Sequence, residues 1–160
     1  TKTAVMQRMN NAKLIHFATH GLLDGFGERT PGAIALSPDS PPSPKNANEG
    51  LLRTSEIVEN LKLQADLVIL SACDTGGGEI SGDGVLGLSR AILTAGAKSL
   101  IVSLWQVDDD TTSYLMVEFY QELEKNPDKA RALRQAMLKT KEKYPGAANW
   151  AAFTIIGNPE

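Results

Sequence analysis

Two residues with the chemistry for nucleophilic catalysis, His20 and Cys73, each follow a short apolar segment. LIHFA (14–18) leads into His20, and DLVILS (66–71) leads into Cys73. A neighbouring histidine lowers the pKa of a cysteine, so that a thiolate attacks a carbonyl carbon and the imidazolium protonates the leaving amine. A tight turn at Gly21 and the amide of Cys73 would supply N–H donors to the oxyanion. The pair is therefore a candidate for acyl transfer.

Spacing alone leaves a second interpretation of Cys73 open. A lone cysteine after an apolar strand also serves as a small buried hydrophobic residue. The other histidine, His16, lies inside the first apolar segment among apolar residues. We therefore predict that His16 is a satisfied core residue with apolar neighbours and that it is not the catalytic base.

The elements that must position the two residues alternate between strands and helices. Short apolar runs predict strands at 14–18, 33–37, 66–71, 99–105 and 150–156. Helical spacing and capping residues predict helices at 54–61 with Thr54 as N-cap, at 84–96 closed by Gly96, after Asp110, and after Asp128. This alternation indicates an α/β fold, an open and mostly parallel sheet with helices on both faces. Such sheets bind ligands at the carboxyl ends of their strands, where His20 and Cys73 fall.

Several blocks of the sequence resemble one family of caspase-like proteins. HFATHG (16–21) and LVILSACDTG (67–76) resemble the strand ends that carry the catalytic residues in the caspase-like clan of cysteine peptidases, which includes caspases, separase and gingipains. The run GDGVLGLSRAILTAGAKSLIVSLWQVDDDTTSYLMVEFYQEL and the closing NWAAFTIIGNP narrow the resemblance to the CHAT domain, the caspase-like module associated with tetratricopeptide repeats. It extends from about residue 13 to residue 159 and implies a single CHAT domain over residues 1–160.

The resemblance implies a cysteine endopeptidase module. The nucleophile falls on Cys73, the general base and acid on His20, and the oxyanion donors on the amides of Gly21 and Cys73. The substrate would be a protein or a peptide, and a regulatory protein partner would activate cleavage through repeats elsewhere in the protein. A catalytically silent CHAT domain that acts as a protein-interaction module is the alternative.

The specificity pocket in this clan is built by loops near both catalytic residues, which correspond here to 74–84 and 105–110. Its candidate substrate-binding residues are Asp74, Asp83, Trp105 and Asp108. The trio Asp108–Asp110 also suits the start of the following helix, where carboxylates are favoured, and we expect at least one of the three to cap it. Together these carboxylates would favour a basic residue on the acyl side of the cleaved bond.

The beginning and the loops of the chain lead to two further expectations. CHAT domains normally begin with further strands and a helix before the histidine block. We therefore expect the chain to be the C-terminal part of a larger protein, with a sheet completed by another segment, a second chain or a second copy in a homo-oligomer. A truncated relative that has lost its activity is the alternative. Residues 38–49, which are polar and contain four prolines, are expected to form a surface loop.

Composition excludes several other classes of protein. Sixteen basic and nineteen acidic residues give a formal charge of −3, which argues against a direct nucleic-acid ligand. Apolar runs shorter than ten residues argue against a membrane span. One cysteine cannot form an internal disulfide, and one cysteine with two histidines cannot form the usual zinc site. We therefore expect no metal, no cofactor and a reducing, cytoplasmic location.

Overall fold

The computed structural model of the protein describes residues 1–22, 32–41, 49–71 and 82–159. Within these ranges the helices are α1 (Lys2–Met9), α2 (Thr54–Asn60), α3 (Gly82–Thr94), α4 (Asp109–Lys125), α5 (Lys129–Lys143) and α6 (Ala147–Trp150). The strands are β1 (Leu14–Phe17), β2 (Gly21–Leu22), β3 (Ala33–Ala35), β4 (Leu51–Arg53), β5 (Leu67–Leu70), β6 (Ser99–Ser103) and β7 (Phe153–Gly157). None of these helices combines the length and the apolar character that a bilayer crossing requires.

Four strands form the main sheet in the order β1-β5-β6-β7. The pairs β1–β5 and β5–β6 are parallel, and β7 runs antiparallel to β6. This confirms the predicted α/β fold with a mostly parallel sheet. In the described part of the chain β1 stands at one end of the order, and its pairing with an additional segment, chain or copy stays a prediction.

Helices cover both faces of this sheet because successive side chains of a strand point to opposite sides. Val68 of β5 packs in one core with Ile57 of α2 and Ile92 of α3. Ile69, the next residue along β5, packs in a second core with Phe119 of α4. All five side chains have 0% exposure. The continuous apolar run of β5 is thus explained by burial on both faces, as predicted.

A second, three-stranded sheet follows β1 and holds the backbone after His20. Its order is β2-β3-β4 with both pairs antiparallel. The sequence predicted a strand at 33–37, of which Ala33–Ala35 is formed. It missed β2 and β4, because strands of two and three residues are too short to show alternation.

The ends of two elements differ from the prediction. Arg53, and not Thr54, is the N-cap of α2: it is extended, and its amide donates to Glu56 Oε2 at 3.0 Å, while Thr54 is already helical. The last strand begins at Phe153, because the residues before it form the short helix α6. Two predicted ends are confirmed: the carboxylate of Asp128 accepts from the amide of Arg131 at the start of α5, and α3 stops at Thr94, two residues before Gly96.

We expect Gly96→Ala to destabilise the fold. The φ of Gly96 is +115°, and an added Cβ would collide with the carbonyl oxygen of Leu63. Backbone strain of this kind costs about 1–3 kcal/mol, which urea unfolding will measure. Gly146→Ala is the matched control, since its methyl group would meet only the flexible amide of Asn149 at 3.3 Å. Equal losses in the two variants would contradict this account.

Candidate functional site

His20 lies beyond the carboxyl end of β1, and the small sheet holds its backbone. The carbonyl oxygen of His20 accepts from the amide of Ala35 at 2.9 Å. One residue earlier, the hydroxyl of Thr19 donates to the carbonyl oxygen of Ala35 at 2.7 Å. The His20 side chain itself is exposed. Two hydrogen bonds to the backbone of Ala35 therefore hold the segment that presents an accessible imidazole at the edge of the main sheet.

A cavity of about 790 Å³ opens beside His20 at this edge. His16 and His20 line it from the β1 side, Ser71 from the end of β5, and Met116 and Tyr120 from α4. Residues 106–108, which join β6 to α4, and Asp109 in the first turn of α4 also line it. The cavity thus lies at the carboxyl ends of parallel strands, the place where the fold predicts a ligand.

Cys73 and Asp74 lie outside the described residues, as does the side chain of Asp83. What the structure places is the strand that leads to Cys73. β5 is paired with β1 in parallel, with Phe17 opposite Leu70, and paired strands are about 4.8 Å apart. The strands that lead to His20 and Cys73 are therefore neighbours, which is the condition for the two side chains to meet. The meeting of the Cys73 sulfur with the His20 ring stays a prediction.

His16 has polar partners at both ring nitrogens. The hydroxyl of Tyr120 lies 2.8 Å from Nδ1, and Oγ of Ser71 lies 2.9 Å from Nε2. The His16 and Tyr120 rings are 5.9 Å apart between centroids and inclined by 45°. The prediction of a satisfied residue is confirmed, but the prediction of an apolar setting is wrong. Tyr120 is 104 positions away along the chain, so the local sequence carried no signal of the contact.

Burial keeps this group of side chains uncharged. It lowers the pKa of His16, because the half-buried imidazolium loses part of its hydration. It raises the pKa of Tyr120 for the same reason, since the phenolate is the charged form. A neutral imidazole offers one donor and one acceptor, and this matches its two partners.

Two predicted substrate-binding residues, Trp105 and Asp108, lie in the segment between β6 and α4 and make different contacts. Asp108 lines the cavity, and its carboxylate also accepts from the amides of Asp110 and Thr111 at 3.0 and 3.3 Å as the N-cap of α4. The expectation that one aspartate caps this helix is confirmed. The indole of Trp105 donates to the carbonyl oxygen of Ala148 at 3.0 Å, and Trp105 is not among the described residues that line the cavity. Its contact with a substrate stays a prediction.

Comparison with known proteins assigns the chain to one family. The family model described as "CHAT domain" matches residues 1–158. The chain belongs to the CHAT domain family. Two similar proteins, both named tetratricopeptide repeat protein 28, come from Mus musculus (28% identical) and Homo sapiens (29% identical). Each match covers 99% of this chain and 8% of the relative, so this CHAT domain spans a small part of the length of these relatives.

Within residues 1–22, 32–41, 49–71 and 82–159, no three His, Cys, Asp or Glu side chains are grouped so that they could hold a metal ion.

We expect the burial of His16 to make the fold less stable in acid. The pKa of His16 is lower in the folded chain than in the unfolded chain, so the unfolded chain binds the proton more strongly. Neutral His16 therefore contributes its full share to the free energy of unfolding above about pH 6.5, and this share is lost as the pH falls below that value. NMR titration of the ring will measure the pKa, and urea unfolding at two pH values will measure the loss. A pKa at or above that of an unfolded peptide would contradict the prediction.

Proposed function

We propose that this CHAT domain is a cysteine endopeptidase module in which Cys73 and His20 form the catalytic dyad. The observation that supports this most directly is the parallel pairing of β1 with β5. Because paired parallel strands end at the same edge of a sheet, the segments that carry His20 and Cys73 leave the fold side by side. A cavity large enough for a peptide side chain opens at that edge.

In the proposed reaction the Cys73 thiolate attacks the carbonyl carbon of a peptide bond, and a tetrahedral oxyanion forms. The C–N bond then breaks as His20, in its imidazolium form, gives its proton to the leaving amine. A water molecule attacks the resulting thioester, and His20 accepts a proton from it. The acid product leaves and the thiolate is restored.

The backbone around Gly21 supports its proposed role as an oxyanion donor. Gly21 faces Ile34 across the β2–β3 pair. The amide of Ala35 donates to the carbonyl oxygen of His20, and this bond joins the residues that flank the Gly21–Ile34 pair. Since hydrogen-bonded and non-hydrogen-bonded pairs alternate along an antiparallel ladder, Gly21–Ile34 is a non-hydrogen-bonded pair. In such a pair the N–H groups point away from the partner strand. The amide of Gly21 is therefore not consumed by β3.

Labelling with a peptidyl acyloxymethyl ketone tests the dyad. We expect a covalent adduct at Cys73 in the wild type and a labelling rate that falls about 100-fold or more in His20→Ala, the usual weight of a positioned acid–base group. Mass spectrometry locates the adduct, and Cys73→Ala gives the background.

A different result would favour the interaction module. If Cys73 reacts no faster than a free thiol, and His20→Ala leaves that rate unchanged, the dyad is wrong. The domain would then bind proteins without cutting them. Circular dichroism of His20→Ala shows whether the variant is folded.

We propose further that the cavity accepts a basic side chain on the acyl side of the cleaved bond. Asp108 and Asp109 line it, and no lysine or arginine is among its described lining residues. The neighbouring Met116 and Val117 offer an apolar wall on which the stem of a lysine or arginine would pack. Asp74 and Asp83 would add to the negative charge.

Asp109→Asn tests this preference without removing the helix cap at Asp108. We expect kcat/KM for substrates with lysine or arginine at that position to fall about two- to five-fold, the weight of an exposed ion pair. Cleavage after neutral residues should be unchanged. Asp110→Asn is the matched control, because Asp110 is also exposed in the first turn of α4 but is not among the described lining residues. A library that shows preference for an acidic residue would overturn the proposal.

The printed names of the relatives support regulation by a protein partner. Both are named for tetratricopeptide repeats. We propose that repeats in the same polypeptide bind a partner protein and thereby control cleavage by this domain.

A further inference from the structure

We propose that His16, Ser71 and Tyr120 form a hydrogen-bonded network that positions the catalytic dyad. The three side chains come from β1, from the residue after β5 and from α4, and all three line the cavity beside His20. The proposal rests on the proposed function and adds to it residues that position the dyad through the backbone, besides forming part of the cavity wall.

Donors and acceptors in the network match in one direction. We assign the ring proton of His16 to Nε2, so that the Tyr120 hydroxyl, 2.8 Å from Nδ1, donates to that nitrogen. Nε2 then carries the ring proton and donates to Oγ of Ser71 at 2.9 Å. The Ser71 hydroxyl in turn reaches the carbonyl oxygen of Phe17 at 3.4 Å. In this arrangement each polar hydrogen has an acceptor, which a half-buried site requires.

The network ties together the two strand ends from which the dyad leaves. His16 is four residues before His20 on one chain segment, and Ser71 is two residues before Cys73 on the other. The backbone amide of Ser71 also donates to the carbonyl oxygen of Phe17 at 3.2 Å. A side-chain bond and a backbone bond thus hold the end of β5 against β1.

Tyr120, the third residue of the network, is held in place by the packing of α4 on the sheet. Tyr120 stands next to Phe119 on α4, their ring centroids are 5.5 Å apart at 62°, and Phe119 has 0% exposure. Because α4 packs on the sheet through this buried ring, the Tyr120 hydroxyl has little freedom to leave His16. Displacing a reacting group by a fraction of an ångström is enough to slow a reaction.

The same direction of donation argues against Ser71 as a nucleophile of its own. A serine is activated when the facing histidine nitrogen lacks a proton and accepts the hydroxyl hydrogen. In the proposed arrangement Nε2 carries the proton and Nδ1 accepts from Tyr120. His16 therefore orients Ser71 and does not activate it.

The test compares Tyr120→Phe, Ser71→Ala and the double variant with the wild type. Tyr114→Phe is the matched control: it is the same change on the same helix, and its ring packs against Tyr144 away from the network. The probe is a peptidyl acyloxymethyl ketone with lysine or leucine next to the ketone, whichever labels wild-type Cys73 faster. The maximal labelling rate, the half-saturating probe concentration and the unfolding free energy are measured for each variant.

We expect the maximal rate to fall about five- to ten-fold in Tyr120→Phe and in Ser71→Ala, the weight of a hydrogen bond, and the half-saturating concentration to change by a smaller factor. Because the three residues act as one unit, the double variant should be no slower than the slower single variant. Nitrogen NMR of His16 should show the proton on Nε2 in the wild type and a mixture of tautomers in Tyr120→Phe. Tyr114→Phe should change none of these values.

Three results would overturn the proposal, and they separate it from the proposed function. If the wild type labels with His20-dependent speed and both single variants keep that speed, the network has no positioning role while the dyad stands. If the variants lose stability but not rate, the network is structural only. If wild-type Cys73 shows no dependence on His20, the dyad and the network fall together.

Discussion

The parallel pairing of β1 with β5 is the constraint on which the rest of the structure depends. It sets the buried face of β1 against the core under α3, and it brings the ends of both strands to one edge of the sheet. His20 and the segment that contains Cys73 follow those ends directly. A shift of one residue in this register would turn His16 into the opposite core and remove it from Tyr120, because side chains alternate along a strand.

Helix α4 serves both the core and the candidate site. Its buried side chains Leu115 and Phe119 pack on one face of the sheet. Its cavity-facing residues Met116 and Tyr120 line the space beside His20, and its first turn brings in Asp109. Helix α4 therefore contributes both apolar and acidic residues to the cavity wall. Its packing on the sheet fixes where these residues lie.

Membership of the CHAT family and the described geometry answer different questions. The match over residues 1–158 establishes the kind of domain, whereas activity depends on how a thiol and an imidazole meet. The same fold carries many functions, so the site has to be argued from its residues. In this chain both residue types are present, and the His20 side chain is exposed at the cavity.

Strong apolar or capping signals predicted β5, β6 and the Asp128 cap of α5 from the amino-acid sequence alone. These elements indicated an α/β fold with a mostly parallel sheet. Because such sheets bind ligands at the carboxyl ends of their strands, they pointed to His20 and Cys73 as candidate site residues. The partners of His16 could be identified only from the folded structure, because both are distant in sequence. Tyr120 reaches His16 through the packing of α4 on the sheet, and Ser71 through the pairing of β5 with β1. The structure also revealed the short strands around Gly21 and the hydrogen bond from Trp105 to Ala148. Contacts between distant elements produce no periodic pattern in the sequence.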